Sequence, residues 1–383
     1  MRIQAVDPLV VPNPGRSYVY VLIKTDAGLT GLGEATLMGR ERSVLEAVRD
    51  FGELVLGQDP LRREHLWHRL FLSDRRRNGA VQMGAIAGID VALWDIVGQA
   101  AGLPVHRLLG GPVRDRVWCY PHCHPHTPEE VPDAFGPLVE AGWSAAKFMP
   151  IAGPHEDARG LDVREAAKRA ARIVQAARNF VGEAFELLIE THGRLRPVEL
   201  IDHARRIEEY DPYFIEEPTR PEAVAAHRLI RAKVRAPLAT GERLLHRWDA
   251  QPLIDEELAD FLQPDVVHAG GISEVWKIGV AADSHLIQLA PHNPQSPVNT
   301  MASLHLDFAL HNFAIQEMVW PTPAWLSDLF DGGPVIDHGF ALPPDRPGLG
   351  ITLNEAQARA LQAKGPAAPP SLLTYRDGAP AEV

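Results

Sequence analysis

The chain has 383 residues, too many for one ordinary domain and suited to a barrel with a smaller capping domain. Its 38 lysines and arginines stand against 50 aspartates and glutamates, and the resulting net charge of −12 argues against a nucleic-acid-binding surface. The only cysteines, Cys119 and Cys123, predict neither a disulfide framework nor a structural zinc site. Residues 1–7 lack the apolar segment of a signal peptide, and no uncharged run reaches membrane-spanning length, so we expect a cytoplasmic protein.

The first third of the chain predicts strands followed by helices. The β-rich run 18–23 and the run 30–35 flank a turn at 26–28, which indicates an antiparallel hairpin. From residue 40 to about 99 the pattern is helical, and small and apolar residues recur at helical spacing over 83–95. Strands followed by a block of helices are typical of an α+β domain.

After Val117, short apolar strands alternate with amphipathic helices. The candidate strands are 145–148, 186–190, 213–216, 237–240, 261–263 and 287–290, and helices are predicted over 163–180 and 197–209. Repeated strand–helix units indicate a parallel sheet, and more than five such units favour a closed barrel.

One ionisable residue follows nearly every predicted strand of this region. In chain order these residues are Glu190, Glu216, Glu242, Asp265, His292 and Glu317, spaced 23 to 27 residues apart. A strand–helix unit of a barrel takes roughly 30 residues, and the strand ends meet at the catalytic mouth. A doubly wound open sheet would instead spread these residues along one edge.

Three carboxylates at consecutive strand ends suit a hard divalent cation. Glu190, Glu216 and Glu242 would supply three oxygens to one Mg²⁺ per subunit and leave three positions for water or substrate. Each could instead be a solvated glutamate at a strand end. Because three of them recur at 26-residue intervals, we favour the metal site.

Two histidines and two further acids complete the predicted site. His192 follows Glu190 by two positions, so both side chains can face the mouth. Asp265 beside His292 would fix the imidazole tautomer and raise its basicity, which makes His292 a candidate general base. A surface or core role is the alternative for any single histidine. Glu317 could contact a substrate carboxylate or equally form a buried ion pair.

Several motifs resemble those of the enolase superfamily, in its mandelate racemase subgroup. They are Ile215–Pro218, Thr240–Arg243, Gln263–Asp265 and Gly88–Asp95, while Glu190–Arg194 and His268–Ile272 are most similar to sugar-acid dehydratases of the galactonate type. The resemblance extends from the first strand to about residue 350. It implies a modified (β/α)7β TIM-like barrel over residues 118–342. An α+β capping domain would comprise residues 1–117, with 343–383 returning to it.

The resemblance also implies a reaction and roles for the residues. The expected reaction is Mg²⁺-dependent dehydration of an aldonate, such as D-galactonate or D-gluconate, to a 2-keto-3-deoxy acid through an enediolate. By the same resemblance His292 with Asp265 is the base, His192 is the acid, and Glu317 hydrogen-bonds the substrate carboxylate. The implied substrate contacts are Arg16, Tyr18, His122, Lys147 and Arg243.

Two departures from the family pattern bear on the reaction. Related dehydratases usually carry aspartate where this chain has Glu190, so the longer arm must fold back. Related racemases carry Lys-x-Lys where this chain has Lys147-Phe148-Met149, and loss of the second lysine favours elimination over racemisation.

Alternatives remain open at this stage. Epimerisation or racemisation would need Lys147 or His122 as a second base. Two further alternatives are cycloisomerisation of a lactone and a protein that binds a sugar acid without catalysis. The sequence does not identify the sugar, because pocket loops select it. We expect a homo-oligomer of unspecified size that binds a small molecule and neither nucleic acid nor membrane.

Overall fold

A three-stranded antiparallel sheet opens the chain. In the computed structural model, which describes residues 1–13, 17–77, 79–151, 163–362 and 379, its strands are β1 (Ile3–Val11), β2 (Tyr18–Thr25) and β3 (Thr30–Glu34). They pair in the order β1–β2–β3, and β2 and β3 form the predicted hairpin. The sheet is followed by α1 (Glu41–Val55), α2 (Arg63–Ser73), α3 (Ala80–Ala101) and α4 (Val105–Leu108). The predicted α+β capping domain is therefore confirmed.

Helix α3 packs directly on β3 because both carry glycines where they meet. A Cβ atom on Gly33 would lie 1.9 Å from the backbone oxygen of Gly88, and one on Gly31 would lie 2.1 Å from that of Ala92. Such distances exclude any side chain at these two strand positions. By length and hydropathy α3 could cross a membrane, but 78% of its most apolar 18-residue window is buried inside the protein. It is thus a core helix of the capping domain.

Eight parallel strands form a closed barrel in the described residues. They are β4 (Val117–Tyr120), β5 (Ala145–Phe148), β6 (Glu186–Glu190), β7 (Phe214–Glu216), β8 (Leu238–Thr240), β9 (Phe261–Leu262), β10 (Gln288–Leu289) and β11 (Gln316–Glu317). Strands β5 to β10 form one continuous sheet, and β11 pairs with β4. Parallel bridges from His122 to Lys147 and from Leu289 to Phe313 close the remaining two gaps.

In the part of the chain that the structure describes, seven α-helices connect these strands and cover the barrel. They are α5 (Val131–Glu140), α6 (Val163–Val181), α7 (Pro197–Ile207), α8 (Val224–Arg231), α9 (Arg247–Asp255), α10 (Ile272–Asp283) and α11 (Pro297–Ala309). The predicted (β/α)7β barrel is confirmed. One buried residue in each strand, or directly next to it for β10 and β11, packs in the interior beneath the mouth. These residues are Tyr120, Ala145, Leu188, Phe214, Ala239, Phe261, Ala290 and Ile315.

Short elements follow the barrel and bring the chain back to the capping domain. They are α12 (Ala324–Ser327), β12 (Phe330–Gly332), β13 (Ile336–Asp337), β14 (Phe340–Ala341), β15 (Ile351–Leu353) and α13 (Glu355–Gln362). The backbone N–H of Leu349 donates to Asp95 of α3 at 2.9 Å, and Arg359 of α13 pairs with Asp7 of β1. Strand β4 begins at Val117, and the domain boundaries at 117 and 342 stay a prediction.

Buried hydrogen bonds attach the capping domain to the barrel. The indole N–H of Trp67 on α2 donates to the backbone oxygen of Gly270 at 2.8 Å. Asp90 of α3 accepts from the hydroxyl of Ser273 at 2.6 Å and from its backbone N–H at 2.9 Å, at the start of α10. Because these groups are shielded from water, breaking the bonds would leave unpaired buried polar atoms.

Candidate active site

The predicted site residues lie at the carboxyl ends of consecutive barrel strands. Glu190 and Glu216 are the last residues of β6 and β7 and face each other across the parallel ladder. Glu242 follows the end of β8, Asp265 follows β9 and His292 follows β10. The regular spacing in the sequence therefore does place these side chains around one mouth.

Glu190, His192 and Glu242 form a group of potential metal ligands in the described chain. One ligand atom from each lies within 4.8 Å of the other two. Glu190 folds back, as expected, and its Oε1 accepts from the backbone N–H of His192 at 2.6 Å. The Oε2 atoms of Glu190 and Glu242 are buried and have no hydrogen-bond partner. Buried carboxylate oxygens without donors are costly, and a hard divalent cation such as Mg²⁺ would satisfy both.

Glu216, the third predicted ligand, has a different set of partners. Its Oε1 lies 2.5 Å from Nζ of Lys147, and its Oε2 accepts from Nε2 of Gln263 at 2.8 Å. Burial, followed by the nearby charge of Glu190, raises the pKa of Glu216 to about 8 even though Lys147 opposes the shift. Glu216 thus adjoins the group formed by Glu190, His192 and Glu242 rather than joining it. Its role as a metal ligand stays a prediction.

Lys147 is buried among the carboxylates of the mouth. Besides Glu216, its Nζ lies 3.1 Å from Oε1 of Glu317 and 3.5 Å from Oε2 of Glu190. Burial alone would lower the pKa of this ammonium, but Glu216 and Glu317 outweigh that effect and hold it well above its usual range. Lys147 therefore supplies a fixed positive charge to the site.

His292 and Asp265 form the predicted pair. Nδ1 of His292 lies 2.8 Å from Oδ2 of Asp265, so the Nδ1–H donates and Nε2 points to the mouth, 3.5 Å from Oε2 of Glu242. Burial alone would lower the pKa of His292, but Glu317, Glu242 and Asp265 together raise it to about 10. A divalent cation beside Glu242 would weaken this negative field and bring the pKa down towards the range that suits a base.

Glu317 is fully buried at the end of β11. Its Oε1 contacts Nε2 of His122 and Nζ of Lys147, while its Oε2 accepts from the backbone N–H of Asn293 at 2.8 Å. Burial alone would raise its pKa, but Lys147, His292 and His122 hold it well below its usual range. The geometry matches the ion-pair alternative left open by the sequence, and a contact with substrate stays a prediction.

Arg243, a predicted substrate contact, hydrogen-bonds the loop that carries His192, the predicted acid. Its Nη2 donates to the backbone oxygen of His192 at 2.6 Å, and its Nε lies 3.3 Å from Oε2 of Glu217. Glu217 in turn accepts from the hydroxyl of Thr240 at 2.7 Å. These contacts fix the positions of the β6 and β8 ends relative to each other.

Two residues of the capping domain, Tyr18 and Arg16, were predicted to contact substrate. Tyr18 is only 5% exposed, and its ring lies 6.2 Å from that of Tyr20 and 6.4 Å from that of Trp325. Its side chain thus belongs to an aromatic cluster, and a substrate contact stays a prediction. Arg16 lies outside the described residues.

A cavity of about 160 Å³ opens beside the carboxylates on the side of β4, β5 and β6. Its walls include His122, His124, Lys147, Met149 and His192. Met149 occupies the place where a racemase of the subgroup would carry its second lysine. Two larger clefts, of about 460 and 480 Å³, lie away from the strand ends.

Four polar residues of the site were not recognised from the sequence. Gln263 and Asn293 stand beside predicted site residues, and their proximity in the sequence could have signalled them. Asn299, in the first turn of α11, donates to Asp265, and Glu34, at the end of β3, accepts from the same turn. No periodic pattern in the sequence marks Asn299 or Glu34, because their partners lie far away along the chain.

Two family models match most of the chain. The mandelate racemase/muconate lactonizing enzyme N-terminal domain matches residues 12–110, and the enolase C-terminal domain-like model matches residues 132–357. The chain belongs to the mandelate racemase/muconate lactonizing enzyme family of the enolase superfamily.

Similar members of this family are sugar-acid dehydratases by name. A D-galactonate dehydratase family member of Streptomyces bingchenggensis (strain BCW-1) is 38% identical, covering 93% of this chain and 92% of its own. A D-mannonate dehydratase of Caulobacter sp. (strain K31) is 34% identical, covering 91% and 92%. The crystal structure of a Pantoea ananatis enolase with bound D-gluconate and Mg superposes with a TM-score of 0.91 at 32% identity, covering 100% of this chain and 99% of that one.

Proposed function

We propose that this enzyme is a hydro-lyase that uses Mg²⁺ to remove water from an aldonic acid, giving a 2-keto-3-deoxy acid. The observation that carries the proposal is the placement of two histidines beside two buried carboxylate oxygens that have no hydrogen-bond partner. His292, paired with Asp265, lies 3.5 Å from Glu242, and Nε2 of His192 lies 3.8 Å from Oε2 of Glu190. Elimination needs such a pair, one group to take a proton and one to give one.

The chemistry follows from these positions. Mg²⁺, when bound by Glu190, Glu242 and Glu216, would offset the negative charge that develops on the substrate carboxylate. Nε2 of His292 takes the proton from C2, which leaves the substrate as its enediolate. Burial lowers the pKa of His192 to about 4, so its imidazolium must form in the complex, where the negative charge of the enediolate favours it. The His192 imidazolium gives a proton to the C3 hydroxyl as the C3–O bond breaks, so water leaves and the enol product tautomerises to the keto acid.

The opposite face of the site supports elimination rather than epimerisation or racemisation. Met149 cannot accept a proton, and Nζ of Lys147 is held by Glu216 and Glu317. Galactonate, gluconate and mannonate are all named among the similar proteins, so the proposal extends to aldonates as a class, with D-galactonate and D-gluconate as the leading candidates. A homo-oligomer located in the cytoplasm remains part of the proposal.

The test is release of 2-keto acid across a panel of aldonic acids. We expect turnover of at least one aldonate, loss of turnover in EDTA and its return with Mg²⁺. Turnover undiminished in metal-free protein would refute the metal assignment. Epimerised or racemised acid without keto acid would favour the alternative reaction of the same superfamily, and lactone formation would favour cycloisomerisation. Binding of an aldonate without any reaction would point to a non-catalytic homologue.

A further inference from the structure

A chain of buried hydrogen bonds through the first turn of α11 connects the His292–Asp265 pair to the capping domain. Asp265 Oδ1 accepts from the backbone N–H of Val267 at 2.9 Å and from Nδ2 of Asn299 at 3.1 Å. With Oδ1 occupied by these two donors, Oδ2 is left for Nδ1 of His292. Val267 and Asn299 together hold the plane of the carboxylate, which keeps Oδ2 in line with Nδ1 of His292.

The Asn299 amide also contacts the residues that hold Glu317. Nδ2 of Asn299 donates to Oδ1 of Asn293 at 3.1 Å. Asn293 in turn donates through its own Nδ2 to the backbone oxygen of Glu317 at 3.2 Å and through its backbone N–H to Oε2 of Glu317 at 2.8 Å. One fully buried side chain thus supports both Asp265 and Glu317.

The orientation of the Asn299 amide follows from its neighbours. Asn293 uses its Nδ2 on Thr300 and Glu317, so its Oδ1 must face Asn299 as an acceptor. Asp265 also offers only an acceptor to Asn299. Both contacts of Asn299 are therefore made by its NH₂ group, and the reversed amide would place oxygen against oxygen.

Glu34, the last residue of β3 in the capping domain, holds this turn of α11 in place. Its Oε2 accepts from the hydroxyl of Ser296 at 2.6 Å and from the backbone N–H of Asn299 at 3.1 Å. Its Oε1 accepts from the hydroxyl of Thr36 at 2.7 Å. A carboxylate at the start of a helix satisfies N–H groups that have no partner within the helix.

We propose that Asn299 is a positioning residue for the base and that Glu34 of the capping domain sets its location through the first turn of α11. The capping domain then contributes to proton abstraction without touching the substrate. The proposal takes His292 as the base, and in that respect it rests on the proposed function.

A matched pair of variants tests the role of Asn299. Asn312 is also a buried asparagine, and its Nδ2 donates to two backbone oxygens, those of Gly279 at 3.1 Å and Ile287 at 2.9 Å. Asn299→Ser and Asn312→Ser each remove a buried amide with two acceptors, but only the first lies beside Asp265. The two variants should show similar shifts in the urea midpoint of unfolding.

The two variants should differ in their catalytic activity. We expect Asn299→Ser to lower kcat about tenfold to a hundredfold with little change in KM, and to slow exchange of the substrate C2 proton with deuterated solvent in parallel. Asn312→Ser should keep the wild-type kcat. Glu34→Gln, which leaves the barrel sequence intact, should lower kcat in the same way as Asn299→Ser. Equal loss of kcat in Asn299→Ser and Asn312→Ser, or wild-type kcat in folded Asn299→Ser, would overturn the proposal.

A measurement without substrate separates this proposal from the proposed function. In Mg²⁺-loaded protein, the downfield proton signal of His292 Nδ1, assigned by its loss in His292→Asn, reports the bond to Asp265. We expect it to move upfield or broaden in Asn299→Ser and to stay in Asn312→Ser. An unchanged signal in Asn299→Ser refutes the positioning role. A wild-type enzyme that dehydrates no aldonate would refute the proposed function and leave this test standing.

Discussion

Replacing Lys147 by methionine should make the stability of the protein depend strongly on Mg²⁺. Lys147 is 3% exposed, and its ammonium lies 2.5 to 3.5 Å from carboxylate oxygens of Glu216, Glu317 and Glu190. Methionine has a similar volume, so the change removes mainly the charge. Removing one member of a buried charge cluster typically costs about 3–5 kcal/mol, because the remaining charges lose their partner. We expect a loss of this size in EDTA.

Saturating Mg²⁺ should recover part of that loss. The ammonium and the cation compete for the same carboxylates, so its removal should tighten Mg²⁺ binding by about tenfold or more. A ligand at a hundred times its Kd stabilises the folded state by about 2.7 kcal/mol, and each further tenfold in affinity adds about 1.4 kcal/mol. The difference in unfolding free energy between Lys147→Met and wild type should therefore be smaller by at least about 1.4 kcal/mol in Mg²⁺ than in EDTA.

Urea unfolding in EDTA and in excess MgCl₂ measures this difference. Lys277→Met is the matched control, since Lys277 is 28% exposed and pairs with Glu64 at 2.5 Å and Glu274 at 3.9 Å. A partly exposed pair is worth about 0–1 kcal/mol, and its loss should be the same in both buffers. An equal destabilisation of Lys147→Met with and without Mg²⁺ would show that Lys147 and the cation do not share these carboxylates.

His292→Asn should abolish both dehydration and exchange of the C2 proton, while His192→Asn should block dehydration and retain exchange measured by NMR in D₂O. Burial raises the pKa of Glu34 from 4.5 to about 7, so its contribution to stability is present below pH 4.5 and lost as pH rises towards 7. Glu34→Gln should flatten the fall in unfolding free energy over that window. Gly348→Ala should cost more than about 1 kcal/mol in urea unfolding, because φ is +75° and the new Cβ would lie 2.1 Å from Oδ1 of Asp95.

The period of the barrel made much of the site predictable. Glu190, Glu216 and Glu242 recur once per strand–helix unit, and the structure places all three at one mouth. The alternation of strand side chains could also have located Lys147. Ala145 points into the barrel interior, so Lys147, two residues on, must point inward as well.

The partners of these residues were less accessible from the sequence. Whether Glu216 contacts a cation or Lys147 depends on side-chain reach across neighbouring strands, which periodicity does not describe. Glu34 and Asn299 are 265 positions apart, and their contact exists only because β3 of the capping domain lies against the start of α11. The sequence allowed Glu317 either a contact with substrate or a buried ion pair. Its buried contacts with Lys147 and His122 became visible only in the structure.

The attachment of the capping domain also bears on how substrate enters. A swing of the whole domain away from the barrel would expose and break the bonds from Trp67 to Gly270 and from Asp90 to Ser273. Exchanging these bonds for bonds to water would cost about 0.5–1.5 kcal/mol for the Trp67 bond and about 1.5–3 kcal/mol for each bond to the Asp90 carboxylate. Separation of the two domains is therefore unfavourable at equilibrium. These bonds hold the capping domain against the barrel, and a substrate that enters without parting the two domains leaves all of them intact.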